Sequence, residues 1–211
     1  MQIDPKAAPA GAISKVINGC VVPRPIAWVS SMDAEGIHNL APFSFFNVAA
    51  HNPPTLLFCA EVRGTDGGIK DTYNNILATK EYVINIVNED LAEAMNLSST
   101  ELSPQGDEFI LAGLTPAPSV RVRAPRVAES PASFECVLSQ VVPVGDGTPG
   151  SSWIILGEVV HMHIADEIIN EKFYIDAQKL RAIGRLSGFG YTRTTDTFDM
   201  KRPPSQLVSK P

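Results

Sequence analysis

Asp71-Thr-Tyr-Asn-Asn-Ile-Leu-Ala-Thr79, followed at once by Lys80-Glu-Tyr-Val-Ile-Asn-Ile-Val87, changes its periodicity in mid-run. In the first half Tyr73, Ile76 and Leu77 fall at i, i+3 and i+4, one stripe of a short helix, with Asp71 placed to cap its N-terminus. In the second half Tyr82 to Val87 is dense in β-branched and aromatic residues, the composition of a strand. Working outward, the same composition recurs in Pro25 to Ser30, Pro54 to Val62, Ala132 to Val144 and Ser152 to Ile164, each run bounded by Gly, Pro, Asn or Asp. Asp33-Ala-Glu-Gly36 reads as a tight turn, because Asp favours a turn start and Gly tolerates positive φ. Leu91, Ala94, Met95 and Leu97 suggest a second short helix over Asn88 to Leu97, capped by Asn88 or Asp90. Helices set among several strands, without strict βαβ alternation, predict a mainly β, α+β or closed-barrel design rather than a doubly wound parallel sheet.

With 211 residues the chain is expected to form a single domain, 1–211. Its net charge of −6 repels phosphate backbones and anionic headgroups, so neither nucleic acid nor a membrane surface is an expected partner. No run approaches the roughly twenty apolar residues of a membrane span. Met1-Gln2-Ile3-Asp4-Pro5 lacks the basic start and apolar stretch of a signal peptide, so the expected location is the cytoplasm. Cys20, Cys59 and Cys136 are far apart and form no C-x-x-C pair, which predicts buried reduced thiols. His161 and His163 share a strand face, but no third ligand lies nearby in sequence, so no metal site is expected. Residues 98–131 read as a long surface connection, a possible lid or dimer arm, and 201–211 as an extended polar tail.

Gly145-Asp-Gly-Thr-Pro-Gly150 satisfies G-x-G-x-x-G, but the strand-like Ser151 to Leu156 follows it where a dinucleotide fold needs a helix. It is therefore read as a loop between neighbouring antiparallel strands. Arg63-Gly-Thr-Asp-Gly-Gly-Ile-Lys-Asp-Thr72 is the better phosphate site. Free N–H groups at the helix start, the Lys70 ammonium, the Arg63 guanidinium and the Thr72 hydroxyl can converge on one dianion, unless the segment is simply a capped surface helix. Asn39-Leu-Ala-Pro-Phe-Ser-Phe-Phe-Asn47 does not alternate as a half-buried strand should; it can pack a flat aromatic ligand or serve as core. No G-x-S-x-G elbow is present, nor a motif-defined nucleophile and base, which fits chemistry carried by a cofactor.

Taken in order, Arg24-Pro-Ile-Ala-Trp-Val-Ser-Ser31, Asn39 to Asn47, Pro53-Pro54, Lys70-Asp-Thr72 and Tyr82 to Val87 resemble the signature of the flavin reductase-like, FMN-binding split-barrel family, over about Val22 to about Arg193. The resemblance implies a six-stranded Greek-key split β-barrel with inserted helices, forming a homodimer with flavin sites at or near the subunit interface. It implies non-covalent FMN and, in many members, hydride transfer from NADH or NADPH to the flavin. By matched position, Ser30, Ser44, Phe45, Phe46 and Asn47 hold the isoalloxazine and ribityl chain. Lys70, Asp71 and Thr72 meet the phosphate, with Arg24 and Arg63 as charge partners. Trp28 stands either to stack near the ring or to fill the core. Gly184 to Arg193 resembles the C-terminal segment that approaches the flavin, with Tyr191 and then Arg185 as contacts. One departure is that Ile155-Leu-Gly-Glu-Val-Val-His161 stands where many short reductases carry an Asp-His pair, which weighs against a dedicated reductase serving a monooxygenase. Two other readings compete with an FMN oxidoreductase: a non-enzymatic flavin carrier passing electrons to a redox protein partner, and a scaffold without flavin.

Overall fold

A computed structural model describes residues 1–103 and 105–205. The chain runs α1 (Ala12–Cys20), β1 (Ala27–Met32), β2 (His38–Phe43), β3 (Phe46–His51), β4 (Pro54–Glu61), α2 (Asp71–Thr79), β5 (Glu81–Ile86), α3 (Ala92–Leu97) and α4 (Glu108–Ala112). It continues β6 (Pro116–Ala117), β7 (Arg126–Val127), β8 (Ala132–Val144), β9 (Ser152–Ile164), α5 (Ala177–Leu180), β10 (Ile183–Arg185) and β11 (Tyr191–Arg193). Of the tail expected to be extended, 201–205 carries no helix or strand and 206–211 lies outside the described residues. Among the described residues no helix is long and apolar enough to cross a membrane.

Seven strands pair antiparallel in the order β2-β1-β5-β8-β9-β4-β3. The strands at the two ends of that order are joined by only Ser44 and Phe45. A two-residue link cannot cross an open sheet of that width, so the sheet curls enough to bring the end of β2 beside the start of β3. Phe43 of β2 packs on Phe58 of β4 with ring centroids 4.8 Å apart, and the Cys59 N–H donates to the Phe45 carbonyl at 2.8 Å. Among the described residues no ladder joins β2 to β3. Seven strands enter the sheet instead of the expected six, because the stretch read as irregular, Asn39 to Asn47, supplies most of β2 and the start of β3. Pro42 is tolerated there because β2 has a neighbour on one side only.

The longest pairing is the β8–β9 hairpin, whose connection contains the G-x-G-x-x-G stretch. Gly145, Gly147 and Gly150 all have positive φ, and Asp146 Oδ1 accepts from the Thr148 and Ser151 hydroxyls, so the glycines serve a turn. Tyr82, Phe58, Ile84 and Ile155 fill the inside of the curl, joined by Ile76 of α2. A second cluster, with Trp28, Leu40, Met95 and Phe109, lies under α3 and α4. β1 contributes Val29 to the first cluster and Trp28 to the second, so both of its faces are covered.

Several sequence readings change. Trp28 and Ser30 are fully buried, their hydroxyl and indole groups spent on protein partners, so their side chains belong to the core and not to a ligand surface. Asp71 is the first helical residue of α2; Lys70 holds the cap position, without a side-chain cap. Cys20 is exposed, Cys59 half-buried and only Cys136 buried, though all three thiols are free as expected. Asn88 does cap the helical segment before α3, accepting from the Leu91 N–H at 3.2 Å. The 98–131 connection carries α4 and the small β6–β7 ladder.

Candidate functional site

Two groups of the expected residues come together, at opposite ends of β2. At one end a hollow of about 90 Å³ is lined by Asn39, Arg63, Lys70, Asp71, Thr72 and the 98–102 segment. The Lys70 ammonium makes no hydrogen bond or ion pair with a described residue. It stands at the start of α2, where the first N–H groups of a helix have no carbonyl in a preceding turn to meet. Arg63 is engaged by both oxygens of Asp66 at 3.0 Å, and its guanidinium lies over Gly68, where a Cβ would come within 2.4 Å of Nη2. The hydrogen bond from the Gly68 N–H, then that from Arg63, holds the Asp66 carboxyl below its ordinary pKa. Carboxylates of Asp71 and Glu101 also line the hollow, so its charge is mixed.

At the other end, five residues and roughly 17 Å of extended strand beyond Asn39, Ser44 accepts from Arg24 Nε at 3.4 Å. Arg24 is buried and its guanidinium is largely spent: it donates to the carbonyls of Asn18 and Val21 at 2.9 Å and of Leu186 at 3.0 Å. It thereby ties the end of α1 to the C-terminal segment, while also lying 5.8 Å over the Phe45 ring. Arg24 and Lys70 are not brought together. Arg185 pairs with Arg24 through the backbone, and its guanidinium sits 4.6 Å over the ring of Tyr191. Tyr191 in turn lines a hollow of about 560 Å³ with Met95, Leu97, Ile183 and Arg193. Phe46 is part-buried and lines a separate apolar hollow, and Asn47 is exposed with its Oδ1 on the Val48 N–H.

Residues 19–184 match the flavin reductase like domain. The chain belongs to the flavin reductase-like family. An uncharacterized protein of Aquifex aeolicus is 42% identical to it over 92% of this chain and 95% of its own. Among solved structures it is similar to nitrilotriacetate monooxygenase component B from Bacillus cereus, with a TM-score of 0.89 and 34% identity over 95% of this chain and 98% of that one. It is also similar to the 2-nitrobenzoate 2-nitroreductase NbaA of Pseudomonas fluorescens, with a TM-score of 0.85 and 30% identity over 98% and 100% of the two chains.

Two features of this flavin reductase-like chain escape a reading of the sequence. The wall between the hollows is α3 and its end: Leu97 lines one and Ser98 the other. Trp28 Nε1 donates to Ser98 Oγ at 2.8 Å, and that hydroxyl donates to the Met95 carbonyl at 2.8 Å, so the buried indole fixes the wall. Ser98→Ala strands the indole N–H and is expected to cost about 1–3 kcal/mol, read as a lower urea midpoint; an unchanged midpoint would remove this role.

The second feature is Glu108, almost wholly buried at the start of α4. Its Oε2 accepts from the Leu40 N–H at 2.9 Å and from Asn39 Nδ2 at 3.2 Å, while Asn39 Oδ1 accepts from the Thr72 hydroxyl at 2.6 Å. Glu108 thus orients the amide that orients Thr72. Burial raises its pKa, although the Leu40 N–H works against the rise. A carboxyl with a folded pKa above its unfolded one burdens the fold most at high pH, and the burden is relieved as pH falls through the folded pKa. Relative to Glu108→Gln, the parent should therefore gain stability as pH falls from neutral toward the ordinary glutamate range, and urea titrations of both at each pH measure it. A difference independent of pH would contradict the assignment.

Proposed function

We propose that this chain is a flavin-dependent oxidoreductase that binds FMN and takes a hydride from NADH or NADPH. The observation that carries the reading is the Lys70 ammonium, unpartnered among the described residues, beside the open start of α2 in a hollow at one end of β2. Lys70 and the first α2 amides would hold the phosphate, with Arg63 joining them on release from Asp66. Thr72, its proton held by Asn39, supports the floor. Along β2 the ribityl chain would reach Ser44 to Asn47, which hold the ring together with Tyr191 from the C-terminal segment. A hollow of about 90 Å³ is large enough for one phosphate, in keeping with FMN.

When bound, the flavin supplies the hydride chemistry, so the protein needs no acid or base of its own. Its own task is orientation: β2 sets the distance between the two ends of the cofactor, and the Trp28–Ser98 bond fixes the wall beside it. The six-residue edge strand β3 is exposed along nearly its whole length, and α1 buries no residue while exposing Val16 and Ile17, surfaces that support a homodimer. The similarity to a monooxygenase component supports delivery of electrons to a partner protein, despite the missing Asp-His pair.

The test is an absorbance spectrum of protein supplied with FMN and freed of excess, before and after anaerobic NADH and then NADPH. Visible flavin bands that bleach promptly support the oxidoreductase. Bands that persist favour an electron carrier, and a colourless protein would sink both.

A further inference from the structure

His161 and His163 look like a bare pair in the sequence, but the β8–β9 register places Glu135 directly across from His161. The two imidazoles stand edge to face with centroids 4.9 Å apart, and the ligating atoms of all three side chains lie within 4.8 Å of one another. Both histidines are only part-buried, whereas Glu135 has no exposed surface. From this geometry we infer that Glu135, His161 and His163 form a site for a divalent transition metal of the zinc type, separate from the flavin hollows.

The donor set is two imidazole nitrogens and one carboxylate oxygen, the borderline ligands that zinc-type ions accept and that magnesium and calcium do not favour. His-x-His on a strand puts both rings on one face, and a cross-strand carboxylate completes a three-point base with the fourth position open to water. The carboxylate is held rigidly. Its Oε1 accepts from the Val120 N–H at 2.7 Å, and its Oε2 from the N–H groups of Arg121 at 2.6 Å and Val122 at 3.2 Å. A carboxylate has about four acceptor positions, and the fourth is taken by His163 Nε2, 2.6 Å from Oε1. That contact is the one a metal replaces: the Nε2 proton leaves to solvent, and the His163 ring swings back from Oε1 to widen the 2.6 Å contact to the spacing an ion needs. No described group hydrogen-bonds the His161 ring, which is free to turn inward. A turn is needed, because tetrahedral zinc holds its ligand atoms roughly 3.4 Å apart. The ion would clamp β8 to β9 and, through Glu135, hold the 120–122 segment.

The test is competition between the metal-free full-length protein and a chromogenic chelator for Zn²⁺, with Co²⁺ absorption reporting the ligand type. Expected is one tight site per chain with nitrogen and oxygen ligation, weakened at least tenfold by His161→Ala and by His163→Ala. Cys20→Ser and His38→Ala, controls for an exposed thiol and a distant imidazole, should leave it unchanged. His163→Ala removes a partner of the buried Glu135, so it and Glu135→Gln are read only if their circular dichroism matches the parent, while His161→Ala, whose ring holds no hydrogen bond with a described residue, tests the site without that cost. Absence of a tight site, a thiolate signature, or binding indifferent to both histidine substitutions would overturn the inference.

Discussion

Replacing Lys70 and Thr72 together by alanine is expected to lower FMN affinity at least tenfold, about 1.4 kcal/mol. Among the described residues Lys70 is the cation lining the hollow that no carboxylate already holds, and removing it leaves Asp71 and Glu101 facing the phosphate. Thr72 contributes less directly: its hydroxyl is committed to Asn39, so its loss frees that amide and loosens the floor. Fluorescence quenching of titrated FMN measures the affinity, and Lys70→Arg, which keeps the charge on a different head, should retain most of it. The variant stays folded but loses about 1 kcal/mol from the missing buried hydrogen bond, so a urea titration separates damage to the fold from damage to the site. Unchanged affinity would place the phosphate elsewhere and remove the hollow from the proposal.

The parts of the fold that were legible in the sequence are those whose signal is local. The helix expected over 71–79 and the strands expected over 132–144 and 152–164 have those bounds in the structure, because a 3.6-residue stripe and a long β-branched run declare themselves within a few residues. β2 was not legible as a strand. α2, α3 and α4 lie against it, so its buried positions do not alternate, and Pro42 interrupts the composition. β10 and β11 are three residues each, too short for a period.

The site divides in the same way. Arg63, Lys70, Asp71 and Thr72 are neighbours in sequence and were found together. Glu108 meets Asn39 across 69 residues and Trp28 meets Ser98 across 70, distances over which no spacing rule operates. Arg24 shows the opposite failure: its position in a family motif suggested a ligand, yet its donors are consumed by three carbonyls. Residue type marked it as a cation, and only the tertiary contacts show where that cation is spent. His161 and His163 lacked a third ligand for the same reason, since Glu135 becomes their neighbour only through the β8–β9 register.

The largest effect on stability is expected from Gly157→Ala. Gly157 lies on β9 between Leu56 and Leu138, and a Cβ there would stand 1.9 Å from Tyr82 Oη and 2.7 Å from Cζ. Tyr82 cannot retreat, because it is fully buried and packs edge-on against Phe58 at 5.7 Å. Overpacking of this kind costs about 3 kcal/mol, visible as a lower urea midpoint. The offending oxygen is also an orphan, since the Tyr82 hydroxyl has no hydrogen-bond partner among the described residues. Burial raises its pKa well above the ordinary phenol value, so it remains a neutral, unsatisfied group. Tyr82→Phe alone should therefore fall within about 1 kcal/mol of the parent, on the stabilising side. In the Gly157→Ala background the same change should recover about 1 kcal/mol or more, a coupling that a double-mutant cycle isolates. Recovery stays partial because Cζ remains too close. Strict additivity of the two substitutions would mean that the methyl group is accommodated by movement of β9, and the clash with Tyr82 would no longer explain why position 157 is glycine.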